Sequence, residues 1–216
     1  MDVRNITQVL SALRLCLHPL AAADALVDVL EGERPEARRA AVLVALFAHD
    51  GHMHVAFIRR AATLRAHSGE IAFPGGSYDA GDQSLVTTAL REASEEIGLA
   101  AERVEVLGLL SPVFTVVSNF FILPVVAWLP TGPGPLLVQT SEVAEVLLLP
   151  LHALADPRIA HTEIWTRGGQ ARPVYFYDYG SLRIWGATGR ILHALLRLLA
   201  LPSHTHNGQQ EEDPCA

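Results

Sequence analysis

The 216-residue chain predicts an α/β (α+β) fold, a layered domain of strands and helices, on three observations. Short apolar runs separated by turn chemistry recur along most of its length, as strands do. Two segments, Ser84 to Ile97 and Trp185 to Leu199, carry apolar residues at helical spacing instead. The two kinds of segment mix without the regular alternation of a doubly wound parallel fold, and no internal repeat is present. With half of its residues hydrophobic, a chain of this length builds one domain with a substantial core.

In chain order, residues 1–38 read as a helical lead-in packed on the domain, with an apolar stretch from Val9 to Val29, ending in polar Glu31-Gly32-Glu33-Arg34-Pro35. Ala41 to Ala48 and Met53 to Ile58 read as strands joined through Asp50-Gly51, a dipeptide that favours a tight hairpin. The short run Ile71-Ala72-Phe73 breaks at Pro74-Gly75-Gly76. From Ser84 to Ile97, Leu85, Ala89, Ala93 and Ile97 fall on one helical face, with Asp82 or Ser84 as N-cap and Gly98 as a left-handed stop. Val104 to Leu110, Phe120 to Leu129 and Glu142 to Leu149 read as strands, as do Glu163 to Arg167 and Pro173 to Tyr177. The closing helix completes a domain over residues 39–201, and 202–216, polar and turn-rich, read as a disordered tail.

Composition removes several classes of function. A formal charge of -7 and low aromatic content argue against a nucleic-acid binder, which needs a basic face to neutralise phosphates. All 16 basic residues are Arg, a bias that codon usage explains better than phosphate chemistry does. Cys16 and Cys215 are too few and too far apart for a disulfide framework, which fits a reducing, cytoplasmic setting. The apolar N-terminal stretch is interrupted by Arg14 and His18, and no run is long and clean enough to span a bilayer. A homodimer through that stretch stays open. None of the ten histidines is assigned a role.

The segment that carries chemistry is Arg91-Glu92-Ala93-Ser94-Glu95-Glu96-Ile97-Gly98. Residues three and four apart share a helix face, so Glu92, Glu95 and Glu96 are expected to converge. Like charges so placed repel unless a cation sits among them, and hard divalent cations take oxygen ligands. A solvated acidic helix face is the bland alternative.

Gly76, Asp82, Arg91-Glu92, Glu95-Glu96 and Gly98 together resemble the Nudix box, the signature of hydrolases acting on nucleoside diphosphates linked to another group. At average residue usage the Arg-Glu-x-x-Glu-Glu-x-Gly portion arises by chance in on the order of one chain in several thousand. The spacing departs at one point. Five residues separate Gly76 from Asp82, and eight rather than seven lead on to Arg91, so either Asp82 replaces the box glutamate across a one-residue insertion or that acid is lost to Gln83. Ahead of the box, Ala61, Arg65, Gly69 and Phe73-Pro74-Gly75-Gly76 follow one another with three residues between each. This pattern is similar to the marker of the coenzyme A pyrophosphatase subfamily.

The resemblance implies an α/β/α sandwich with a mixed β-sheet and hydrolysis of the diphosphate bridge of coenzyme A or its derivatives, to 4'-phosphopantetheine and adenosine 3',5'-bisphosphate, with Mg²⁺ or Mn²⁺. It implies Glu92, Glu95, Glu96 and the Gly76 carbonyl as metal ligands, and Arg65, Arg59 and the Gly75 backbone as phosphate contacts. Arg91, Asp82 and Gly98 support the site. Glu92 and Glu95 count among the catalytic residues, and the general base comes from Glu142 or Glu145, both equally readable as strand-edge charges; Arg59 and Arg60 both read alternatively as ordinary strand-end charges. Two rival readings are another Nudix substrate (ADP-ribose, a dinucleoside polyphosphate, a damaged nucleoside triphosphate) and a Nudix module that binds a nucleotide without cleaving it.

Overall fold

A computed structural model describes residues 3, 5–63, 67–167 and 169–200. Arg65 and the C-terminal tail lie outside the described residues. The N-terminal stretch is two helices rather than one. Helix α1 (Ile6–Cys16) starts at Asn5, whose side chain accepts from the Gln8 amide at 3.1 Å, and stops before Pro19; a short 3₁₀ turn leads into α2 (Ala23–Glu33). Proline lacks the amide a continuous helix would need there and disfavours helical His18. His18 instead forms a bridge with Leu109, exchanging backbone hydrogen bonds of 3.0 and 2.9 Å.

Strands β1 (Arg38–His49) and β2 (His52–Arg60) form the hairpin the Asp50-Gly51 pair predicts. Both turn residues have positive φ, 49° and 75°, the conformation of a type I′ turn. The hairpin zips only from Leu46–Val55 to His49–His52 and then forks. Into the fork run β3 (Ile71–Ala72), which pairs with β2, and β4 (Gly75–Ser77), which pairs with β1. Between them the Pro74 carbonyl accepts from the Leu43 amide at 2.8 Å.

Helix α3 (Leu85–Ile97) follows, capped by Ser84, whose hydroxyl accepts from the Thr87 amide at 3.2 Å. It ends at Gly98, with φ of 68°, where the amides of Gly98 and Leu99 close back on Ser94 and Ala93. Strands β5 (Glu105–Leu109), β6 (Val113–Thr115), β7 (Phe120–Leu129) and β8 (Val143–Pro150) complete the main sheet. Strand β7 runs parallel to β1, from Arg38 opposite Phe120 to Phe47 opposite Leu129, while every other pairing is antiparallel, so the sheet is mixed. A short α4 (Leu151–Leu154) leads to a second, antiparallel sheet of β9 (Ala160–Arg167), β10 (Gln170–Tyr179) and β11 (Leu182–Ile184), and α5 (Gly186–Ala200) closes the fold.

Alternation along the strands divides the core into two layers. Leu43, Ala45 and Phe47 of β1 and Ala56 and Ile58 of β2 face α2 and α3, packing on Val27, Ala89, Ala93 and Ile97. Val44, Leu46, Val55 and Phe57 face the other way, onto Val9 and Leu13 of α1, Ile191 and Leu195 of α5, and Tyr177 and Ile184 of the small sheet. The result is an α/β/α arrangement around a mixed sheet. Among the described residues no helix is long and apolar enough to cross a membrane.

Candidate active site

The fork between β1 and β2 and the C-terminal half of α3 build the site together. Gly75 lies in the fork with φ of 155°, where a Cβ would collide with the Ala41 carbonyl oxygen. At Gly76 a Cβ would come 2.5 Å from the carboxylate carbon of Glu92. Both glycines are needed because backbone and helix approach so closely that no side chain fits between them.

Glu96 is the most confined acid of the site, only 2 % exposed. One oxygen accepts the Gly75 amide at 2.9 Å, and the other stands 4.0 Å from a guanidinium nitrogen of Arg60. Burial outweighs both contacts and, with the charges of Glu92 and Glu142 adding to it, pushes the carboxyl up to about 7. Glu92 is shifted upward as well, chiefly by burial, although Arg91 reaches it at 3.0 Å and opposes the shift.

Asp82 is also buried and has the opposite character. Arg91 grips it with a two-pronged contact, Nε to Oδ1 at 2.9 Å and Nη2 to Oδ2 at 3.1 Å. The Thr88 hydroxyl and the Asp79 amide donate to the same carboxylate at 2.8 and 3.1 Å. These bonds, the Arg91 fork first among them, hold Asp82 down at about 2 and raise the arginine above its ordinary range. The Asp79–Asp82 turn accommodates the extra residue: the Asp82 amide donates to the Asp79 carbonyl at 2.9 Å and the Tyr78 hydroxyl to the Asp82 carbonyl at 3.0 Å. Gln83 is exposed.

The expected convergence of three glutamates is corrected to two. Glu95 turns outward, its side chain 61 % exposed, and meets Arg91 at 3.0 Å. The reason is angular: residues 92 and 96 sit about 40° apart around a helix, whereas 95 lies about 100° from 96. Among the described residues no three acidic, histidine or cysteine side chains stand close enough to hold a metal as placed. What the structure supplies is a pair, Glu92 and Glu96, against bare glycine backbone. A buried carboxyl whose ionisation is opposed by its surroundings, beside a second acid, suits a divalent cation, which would satisfy both charges.

Arg59 and Glu145 pair with each other at 2.5 Å across β2 and β8. Their neighbours Phe57 and Leu147 belong to the core layer of α1 and α5, so alternation sets this pair on the sheet face away from α3. Glu142 stands differently. Its carbonyl accepts from the Ala61 amide at 2.8 Å, and its charge bears on both Glu92 and Glu96. The segment carrying it is tied to the helix end by the Gln139 amide, which donates to the Glu96 carbonyl at 2.9 Å. Sequence reasoning missed Arg60. Adjacent arginines look alike in a sequence, but alternation turns Arg60 to the Ile58 face and hence toward Glu96.

Residues 37–166 match the model of the NUDIX domain. The chain belongs to the Nudix family. The uncharacterized Nudix hydrolase NudL of Photorhabdus laumondii is 42% identical over 137 residues, covering 63% of this chain and 72% of that protein. Its namesake from Pectobacterium atrosepticum is 41% identical over 165 residues, covering 73% and 81%. Among solved structures, a Nudix hydrolase of Alicyclobacillus acidocaldarius superposes with a TM-score of 0.47 at 19% identity, covering 74% of this chain and 91% of its own. With this family and the two NudL relatives, the domain is that of a Nudix hydrolase, a class that generally uses divalent metal ions.

Proposed function

We propose that this Nudix hydrolase cleaves the diphosphate bridge of coenzyme A or a coenzyme A derivative, releasing 4'-phosphopantetheine and adenosine 3',5'-bisphosphate. The observation that carries the reaction is the Glu92–Glu96 pair pressed against Gly75-Gly76. The substrate class rests on the Arg65, Gly69, Phe73-Pro74-Gly75-Gly76 pattern ahead of the box.

In this reading Glu92 and Glu96 hold Mg²⁺ or Mn²⁺, with the Gly76 backbone completing the cradle. A divalent cation supplies neutralisation of the bridging phosphates and a lowered pKa for bound water. Glu142, on the segment tied to the end of α3, is the proposed base that accepts the proton of the attacking water. Arg60, beside Glu96, balances charge where the diphosphate enters. Arg65 contributes a bidentate phosphate contact. Glu95 keeps Arg91 in place, and Arg91 fixes the loop through Asp82. The cytoplasm is the proposed compartment, because two cysteines, too few and too far apart for a disulfide framework, fit a reducing setting.

Incubation with coenzyme A and Mg²⁺, read by mass spectrometry, tests the proposal. Adenosine 3',5'-bisphosphate is the expected product. Turnover of ADP-ribose or a dinucleoside polyphosphate in preference to coenzyme A would overturn the substrate, and binding without any product would overturn the hydrolysis.

A further inference from the structure

The small sheet packs one face on the core through Tyr177 and Ile184, and among the described residues its outer strand, β9, pairs only with β10. All eight residues of β9 are exposed, Ile164 to 66 % and Trp165 to 46 %. Proteins usually shorten, charge or cover an edge of this kind, because its free amides and carbonyls template another strand. Here the edge is long and carries two large apolar side chains. Trp165 is also held in place: its ring lies 5.9 Å from Trp185 and 6.0 Å from Phe176, and its indole N–H donates to Glu163 at 2.7 Å.

The β9–β10 hairpin closes with Arg167 opposite Gln170. In such a hairpin Arg167, Trp165 and Glu163 bond to β10, and Thr166, Ile164 and Thr162 turn their peptide groups outward. The edge sequence is self-complementary in one register. A two-fold axis at Trp165 sets Trp165 opposite its own copy, Ile164 opposite Thr166, and Glu163 opposite Arg167 on both sides. An axis at Ile164 would set His161 opposite Arg167, and one at Glu163 would oppose two glutamates. Opposite charges across a strand pair stabilise it and like charges do the reverse, so charge selects the first register. Arg167 is exposed, and this register sets it directly opposite Glu163 of the other copy, whose own contacts are the Trp165 indole at 2.7 Å and His161 at 3.6 Å.

We propose that β9 is the surface through which two copies of this chain associate, joining their small sheets into one antiparallel sheet about a two-fold axis at Trp165. β9 brings eight residues from each copy, fewer than the roughly 20–30 a side of a standard interface, so weak association, on the order of micromolar, is expected.

Sedimentation velocity from low to high micromolar concentration reads the association. Ile164→Lys, Glu163→Arg and Arg167→Glu each shift the chain to monomer, while the double variant Glu163→Arg/Arg167→Glu restores the dimer. Trp165→Cys, in a background with Cys16 and Cys215 replaced by serine, forms a dimer-linking disulfide on oxidation. Unchanged circular dichroism and melting confirm that each variant is folded. A wild type that stays monomeric throughout overturns the proposal. So does a dimer indifferent to Ile164→Lys, a double variant no better than either single one, or a Trp165→Cys chain that does not cross-link.

Discussion

Asp82 and Glu96 are both buried acids on or beside α3, 7 % and 2 % exposed, and their surroundings treat them in opposite ways. Asp82 has two bonds from Arg91, one from Thr88 and one from a backbone amide, and sits at about 2. Glu96 has one amide and an arginine at 4.0 Å, and sits at about 7. A buried carboxylate satisfied by its own chain locks a loop. One left short of partners costs stability and is retained for something the chain does not contain. The contrast separates the acid that builds the site from the acid proposed to work in it.

The largest expected effect lies on the working side. Glu96→Gln removes about a hundredfold or more of the hydrolysis rate, since losing one ligand forfeits several kcal/mol of charge stabilisation, and leaves the fold intact. Steady-state rates beside circular dichroism check this; near-normal turnover would erase the distinction. Stability against pH comes next. Because the folded protein keeps the Glu96 proton up to about 7 while the unfolded chain releases it near 4.5, the metal-free protein loses stability as pH rises through that window. The loss approaches about 3 kcal/mol and disappears in Glu96→Gln, as denaturant titrations at several pH values would show.

Asp82 runs the other way. Its contribution is present above about 4 and vanishes as pH falls toward 2, so Asp82→Asn costs about 2 kcal/mol at neutral pH. That lowers the melting temperature by roughly 4–8 °C, with activity following the folded fraction. The smallest effect belongs to Glu145→Ala. It breaks an exposed pair with Arg59 worth under about 1 kcal/mol and leaves the rate within about threefold. A collapse of activity in Glu145→Ala would move the base from Glu142 to the opposite face of the sheet.

Elements with a strong local period were legible in the sequence: the Asp50-Gly51 hairpin, the α3 face of Leu85, Ala89, Ala93 and Ile97, and β7 from Phe120 to Leu129. Strands β4, β6 and β11, three residues each and too short for a periodic signal, exist only because a longer strand offers them an edge. Apolar composition marks residues 1–38 as helical but does not show that the chain divides at Pro19 into α1 and α2. In the site, helical spacing found Glu92 and Glu96 but overreached at Glu95, whose angle around the helix places it with Arg91. The split of Arg59 from Arg60, and of Glu142 from Glu145, was invisible because it depends on which face of the sheet each meets.

Calorimetric titration of Mn²⁺ into the metal-free protein at pH 7.5 tests the central claim most directly, with Glu96→Gln and Asp82→Asn alongside. The wild type and a folded Asp82→Asn bind the ion, and Glu96→Gln loses that binding. Equal affinity in Glu96→Gln, or no binding by the wild type, would contradict the assignment of the Glu92–Glu96 pair as the ion site.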